Sequence, residues 1–165
     1  DTCIGCHNSH TLELKVEACA TCHTGVASVE DLRAIRMQGS LVDYDGDGDT
    51  TEGIATEIEG LQEKLMQAIQ AYATEKAGAA IAYDVAAHPY FFLDKNADGK
   101  ADTDDKGAKL AYNAFTPRLI KATYNFQYAL KDPGAFAHNA KYVLQALYDS
   151  IQDLGGDLTG LVRPQ

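Results

Sequence analysis

Basic residues are scarce in this sequence. Its 165 residues hold 14 Lys and Arg against 24 Asp and Glu, a formal charge of −10. Such a surface repels phosphate backbones, which excludes nucleic acid as a partner. It favours instead a positively charged redox partner, a mineral surface or a soluble cation. Long apolar runs are missing as well: nothing approaches the roughly 20 residues that a bilayer span needs, although the hydrophobic fraction is an ordinary 45%. The length fits a single domain. Histidine and cysteine are rare, at five and four, so where they stand carries weight.

All four cysteines fall within the first 23 residues, as Cys3-Ile-Gly-Cys6-His7 and Cys19-Ala-Thr-Cys22-His23. C-x-x-C-H is the attachment signal for c-type haem. Two thiols three residues apart on one tight turn each reach one vinyl group of a porphyrin, and the next residue sets an imidazole under the iron. Two other readings compete. Paired C-x-x-C motifs could form an all-cysteine zinc knuckle, and one pair could be a redox dithiol, which needs a βαβ context not seen here. Neither explains a His directly after both second cysteines. The connector between His7 and Cys19 spans at most about 40 Å when extended, so two haems would sit near one another. Haem is attached in this way outside the cytoplasm, which predicts an extracytoplasmic protein. With no initiator Met or signal peptide, the chain reads as processed or as the tail of something longer.

Beyond the motifs the sequence reads as mostly α. A dihaem segment over 1–40 is irregular and a helical domain over 41–165 carries two calcium-type loops, the two together forming one compact unit. A short helix is expected over 25–37, with Ser28 as N-cap and Asp31 three residues on. The strongest helix is expected over 54–77, where Ile54, Ile58, Leu61, Leu65, Ile69 and Tyr72 recur at three- and four-residue steps before Gly78 stops it. Another runs from Pro117, after a Thr116 cap, to Leu130. Asp132-Pro133-Gly134 breaks the chain, and a last helix runs from Ala135 to Leu154, ended by Gly155-Gly156.

The first acidic loop opens as Asp43-x-Asp45-x-Asp47-Gly48-Asp49, the start of a calcium loop. Its twelfth position is Ile54, so Glu52 or Glu57 must supply the closing carboxylate. The second, Asp94-x-Asn96-x-Asp98-Gly99-Lys100-x-Asp102-x-x-Asp105, is the better match. It departs in Asp for Glu at position 12 and Ala at position 8, with Lys100 at position 7, where a backbone carbonyl ligates. Hard calcium wants six to eight oxygens, and the glycine allows the sharp turn that gathers them.

Three stretches give the chain a family likeness: Asp43 to Ile54, His88-Pro-Tyr-Phe-Phe92, and Thr116-Pro-Arg-Leu119 running on to Tyr124-Asn-Phe-Gln-Tyr128. A fourth, Lys131-Asp-Pro-Gly-Ala-Phe-Ala-His-Asn-Ala-Lys-Tyr142, is the most telling. On these residues the chain resembles multihaem c-type cytochromes of extracellular electron transfer, residues 40–154 being similar to the C-terminal part of polyhaem, membrane-associated bacterial cytochromes. The resemblance implies electron relay rather than catalysis, and a distal imidazole from His138. The chain departs in having two haem motifs where relatives have many.

Two irons need four axial ligands. His7 and His23 are the proximal pair, and His10, His88 and His138 compete for two distal places, with Met37 and Met66 as weaker candidates. The expected set is His10 and His138, with His88 in reserve and His10 facing the other motif's haem rather than its own. Bis-His ligation implies a lower reduction potential than Met/His and leaves no open position for substrate. The function expected is therefore electron transfer by two covalent haems, rigidified by one or two Ca²⁺. Two alternatives remain open. One is a dihaem peroxidase or nitrogen-oxyanion reductase with one open haem position. The other is a filament in which a spare His ligates a neighbour's haem.

Overall fold

The computed structural model describes residues 2–36 and 40–165; Met37 lies outside the described residues. The molecule is mostly helical, built on three helices: α3 (Ile54–Tyr72), α4 (Pro117–Lys131) and α6 (Ala140–Leu154). Each packs on the other two. The apolar stripe expected for α3 is the face it buries, with Leu61, Leu65 and Ile69 wholly inside. Leu119, Ala122 and Phe126 of α4 and Val143, Leu144, Leu147 and Ile151 of α6 complete this core. Met66 packs against it, as expected of a core residue rather than a ligand.

Helix ends follow local chemistry. The Thr116 hydroxyl accepts from the Leu119 amide at 3.2 Å, with Pro117 in the first turn. α3 runs on through a π turn (Ala73–Ala77) to Gly78, whose φ of +77° ends it in the left-handed region that glycine enters freely. One expected helix is cut in two. Instead of running from Ala135, the chain makes a single turn, α5 (Ala135–His138), then breaks at Asn139 before α6 begins. Asn139 leaves helical geometry (φ −161°, ψ 65°) and its side chain accepts from the Tyr142 amide, the behaviour of an N-cap. His138 therefore ends a short helix; it does not sit in the first turn of a long one.

The helix expected over 25–37 shrinks to a 3₁₀ turn, Glu30–Ala34. Asp31 and Ser28 do pair reciprocally. Ile35, however, is extended and its carbonyl accepts from the Ile54 amide at 3.1 Å, so pairing with the start of α3 overrides local propensity. A hairpin not anticipated from sequence joins β1 (Ile81–Tyr83) to β2 (Phe91–Leu93), antiparallel, with Ala82 opposite Phe92. Its Tyr83 and Phe91 meet Phe126 of α4 edge-on, at ring-centre distances of 5.1 and 6.3 Å. At three residues each, these strands are too short to show a period.

The N-terminal segment has little core of its own. Among the described residues before Leu32, none is buried. It contains two one-turn helices, α1 (Cys3–Cys6) and α2 (Val16–Ala20), joined by a tight hairpin in which His7 bridges Leu14 and the Asn8 amide donates to the Glu13 carbonyl.

Leu65→Ala removes a wholly buried side chain and is expected to cost about 2–5 kcal/mol, read as a lowered urea midpoint. An unchanged midpoint would contradict the three-helix core.

Candidate haem and cation sites

Both C-x-x-C-H motifs fold alike. The His7 amide donates to the Cys3 carbonyl at 2.8 Å and the His23 amide to the Cys19 carbonyl at 2.9 Å. Each motif thus closes one helical turn, which brings its two cysteines to successive positions on one side. None of the four cysteines is disulfide-bonded; Cys3, Cys6 and Cys22 are exposed and Cys19 half-buried. Among the described residues, no group of three cysteine or histidine donors gathers within 4.8 Å, as a zinc knuckle requires; the groups that do gather are carboxylates.

The imidazoles of His7 and His138, 131 positions apart in sequence, lie near one another with ring centres 6.3 Å apart and planes inclined by 43°. An imidazole nitrogen bonds a metal at about 2 Å and the ring centre lies about 1 Å beyond, so two imidazoles flanking one ion have centres about 6 Å apart. The separation of the two ring centres matches that distance. His7 Nδ1 lies 2.7 Å from the Leu12 carbonyl; a carbonyl only accepts, so Nδ1 carries the hydrogen and Nε2 is left to ligate. His138 Nδ1 lies 3.6 Å from Asp132 Oδ1. A Cβ on Gly134 would stand 2.5 Å from His138 Cε1 and 2.8 Å from Nδ1, so the ring is laid over the one residue type that leaves it room.

The structure does not gather the remaining histidines. His10 is exposed at the tip of the connecting hairpin, its amide bonded to the Asn8 side chain. His88, also exposed, sits edge-on to Tyr90. His23 is exposed, and among the described residues no second imidazole stands as close to it as His138 does to His7.

The two acidic loops share one wiring. The first Asp accepts from the sixth-position glycine (Asp43 from Gly48 at 2.8 Å, Asp94 from Gly99 at 2.9 Å). The third-position side chain accepts from the fifth amide (Asp45 from Asp47, Asn96 from Asp98), and the fifth from the seventh (Asp47 from Asp49, Asp98 from Lys100). In the first loop carboxylate oxygens also converge: Asp45, Asp47 and Glu52 form one cluster and Asp43, Asp45 and Glu57 another. Among the described residues the second loop, ranked higher from sequence, shows no such convergence. Asp102 there accepts from the Lys95 amide, and Asp105 lies in an exposed turn closed by Gly107 donating to Asp104. Asp49 of the first loop holds Thr51.

Glu57, wholly buried, is the anchor of the first loop. One oxygen pairs with Arg36 at 2.8 Å; the other accepts from the Tyr44 and Asp45 amides. Arg36 also donates to the carbonyls of Ser40, Val42 and Glu52. Glu57 is thereby spoken for, leaving Glu52 to close a cation site. Glu52 Oε1 is buried with no partner. Burial, then the neighbouring Asp45, Asp47 and Glu57, push the Glu52 carboxyl up to about 7; burial, with Asp47, Glu57 and Asp43 adding, pushes Asp45 to about 6. Sequence reasoning missed Gly60, mid-helix in α3, although its signal was present: a Cβ there would land on Asp45 Oδ2. The glycine costs about 1 kcal/mol of helix propensity and admits the loop against the helix.

No protein-family model matches the chain, and no solved structure matches it. Among curated proteins it is 28% identical to the C-type polyheme cytochrome OmcB of Geobacter sulfurreducens, over 195 aligned positions covering 99% of this chain and 22% of that protein, in each of two strains. It is 29% identical to the C-type polyheme cytochrome OmcC of the same species, over 164 positions covering 90% of this chain and 18% of that protein. The chain thus spans about a fifth of the length of these relatives. It is related to the multihaem c-type cytochromes. No described helix is long and apolar enough to cross a membrane.

The raised carboxyls set a pH dependence in metal-free buffer. A carboxyl whose pKa is higher folded than unfolded holds its proton more tightly in the native state, so stability falls as pH rises between the two values. The lowered carboxyls, Asp31, Asp49, Asp84, Asp149 and Asp157, act oppositely but have finished titrating by about pH 5. The melting temperature is therefore expected to fall between about pH 5 and 7, and less steeply in Glu52→Gln. A curve that rises across that window would contradict it.

Proposed function

We propose that this chain is an electron-relay segment of a c-type cytochrome that works outside the cytoplasm. Two haems are held covalently, one by Cys3 and Cys6 with His7 as proximal ligand, the other by Cys19 and Cys22 with His23. The observation that carries the reading is the approach of His7 and His138, ring centres 6.3 Å apart, the separation that two imidazoles on one iron would have. Bound there, haem supplies a one-electron couple whose potential its axial ligands set. The chain's own part is to fix the imidazoles and leave no coordination position for a substrate, which favours relay over turnover. His10, on the hairpin leading into the second motif, is our assignment for the distal place opposite His23, with His88 in reserve.

The exposed N-terminal segment supports the same reading. About thirty residues without a buried side chain cannot hold a fold by their own apolar contacts. Two covalent porphyrins would give them a large apolar surface to pack on. A net charge of −10 suits a positively charged redox partner or acceptor surface.

The first acidic loop, through Asp43, Asp45, Asp47 and Glu52, is the calcium site we favour, its unpartnered buried Glu52 oxygen being what a cation would satisfy. The second loop, with the same backbone wiring, is a second candidate. Calcium there would neutralise the loops and fix α3 against the segment that carries the haems.

One observation favours a second reading, a dihaem redox enzyme: the exposed His23 ring faces no imidazole among the described residues. An open position at that iron would bind small ligands.

Intact mass with a pyridine haemochrome assay is expected to give two haems per chain, and the oxidised spectrum to be low-spin at both. A high-spin fraction that binds cyanide or nitrite would support the enzyme instead. Colourless protein with the mass of bare polypeptide would end the relay account. Chelation of calcium is expected to lower the melting temperature without loss of haem absorbance; an unchanged melting curve would remove calcium's structural role.

A further inference from the structure

We infer that Asp132 and Gly134 form a seat for the His138 imidazole that sets both its orientation and its strength as a ligand. The inference rests on the reading of His7 and His138 as one iron's axial pair.

The geometry is specific to this turn. The chain leaves α4 at Lys131, and Asp132 Oδ1 accepts from the Gly134 amide at 3.0 Å. The same oxygen lies 3.6 Å from His138 Nδ1. The His138 amide returns to the Gly134 carbonyl at 2.9 Å, so the one-turn helix α5 hangs from the residue over which its own ring lies. His138 Cε1, Nδ1 and Nε2 would all stand within 3.2 Å of a Cβ at position 134. Position 134 is thus the floor beneath the ring, and Asp132 stands at the ring's far nitrogen.

The two axial imidazoles consequently meet different groups behind them. His7 Nδ1 faces a neutral carbonyl, that of Leu12, whereas His138 Nδ1 faces a carboxylate. A carboxylate whose charge lies beside the far nitrogen of a ligating imidazole raises its basicity, and fixes its plane as the two close to hydrogen-bonding distance. A more basic ligand stabilises the oxidised iron, which lowers the reduction potential. The Asp132 side chain is about one-third exposed and that of His138 61% exposed, so water screens the pair and the effect is moderate.

The test uses holoprotein variants, read by potentiometric titration and by electron paramagnetic resonance of the oxidised form. Asp132→Asn keeps an acceptor for the Gly134 amide and removes only the charge. It is expected to raise the potential of one haem, changing the oxidised-to-reduced ratio at fixed poise by up to about tenfold, which is 59 mV for one electron. Asp132→Glu is expected to return that haem toward the wild-type potential. Gly134→Ala is expected to change the g-values of one low-spin signal, because the ring must rotate off the new Cβ.

A wild-type potential in Asp132→Asn overturns the role of Asp132, and wild-type g-values in Gly134→Ala overturn that of Gly134. A low-spin signal that persists unaltered in His138→Met fails the axial-pair reading itself and takes this inference with it, a result distinct from either of the others.

Discussion

The meeting of His7 with His138 is the contact on which the arrangement turns. It joins an N-terminal segment with no core to a helical body with a good one. Besides it, the segment touches that body through Leu32, the Arg33–Glu59 pair, the Ile35–Ile54 backbone bond and the Arg36–Glu57 pair. Covalent attachment at α1 would fix one face of a porphyrin to the segment, and ligation by His138 would fix the other face to the helices. In this account the cofactor is as much a structural element as a redox one. It gives the segment the apolar surface that its own side chains do not supply.

The first acidic loop performs a second joining. Arg36 and Glu57 form a buried pair at the base of α3, and Glu57 also holds the Tyr44 and Asp45 amides. A buried pair of this kind is a poor source of net stability but is costly to break by halves, so it fixes where the loop sits. On its outer side the loop meets the C-terminal segment: the Val162 amide donates to the Tyr44 carbonyl, and Gly46 approaches Gly160 so closely that a Cβ on Gly46 would clash with its backbone. The carboxylates that then crowd together carry the penalty seen in the raised pKa values of Asp45 and Glu52. A divalent cation bound among them, as proposed above, would offset that penalty.

Different parts of the molecule were legible in the sequence to different degrees, for physical reasons. The two C-x-x-C-H motifs stand out in the sequence because haem attachment chemistry demands a fixed spacing, and each folds as one helical turn. The long helix α3 announced itself through a stripe that matches its buried face, and α4 through Thr116 and Pro117. The break at Asn139 was hidden inside an alanine-rich stretch, Ala135 to Ala140, where one residue's capping preference decides the geometry. The β1–β2 hairpin was hidden by its brevity. The sequence ranks the second acidic loop above the first, whereas carboxylate oxygens converge in the first; position-by-position similarity says nothing of how a loop folds against buried Asp45 and Glu57. Asp132 and Gly134 looked like an ordinary helix breaker; only the packing of His138 over them reveals a further use.

The central claim is that one iron lies between His7 and His138, and the most direct measurement is the spin state of the His138→Ala holoprotein. The account predicts that one haem of two turns high-spin and binds carbon monoxide when reduced, while the other stays six-coordinate and low-spin. Two unaltered low-spin haems in that variant would contradict it.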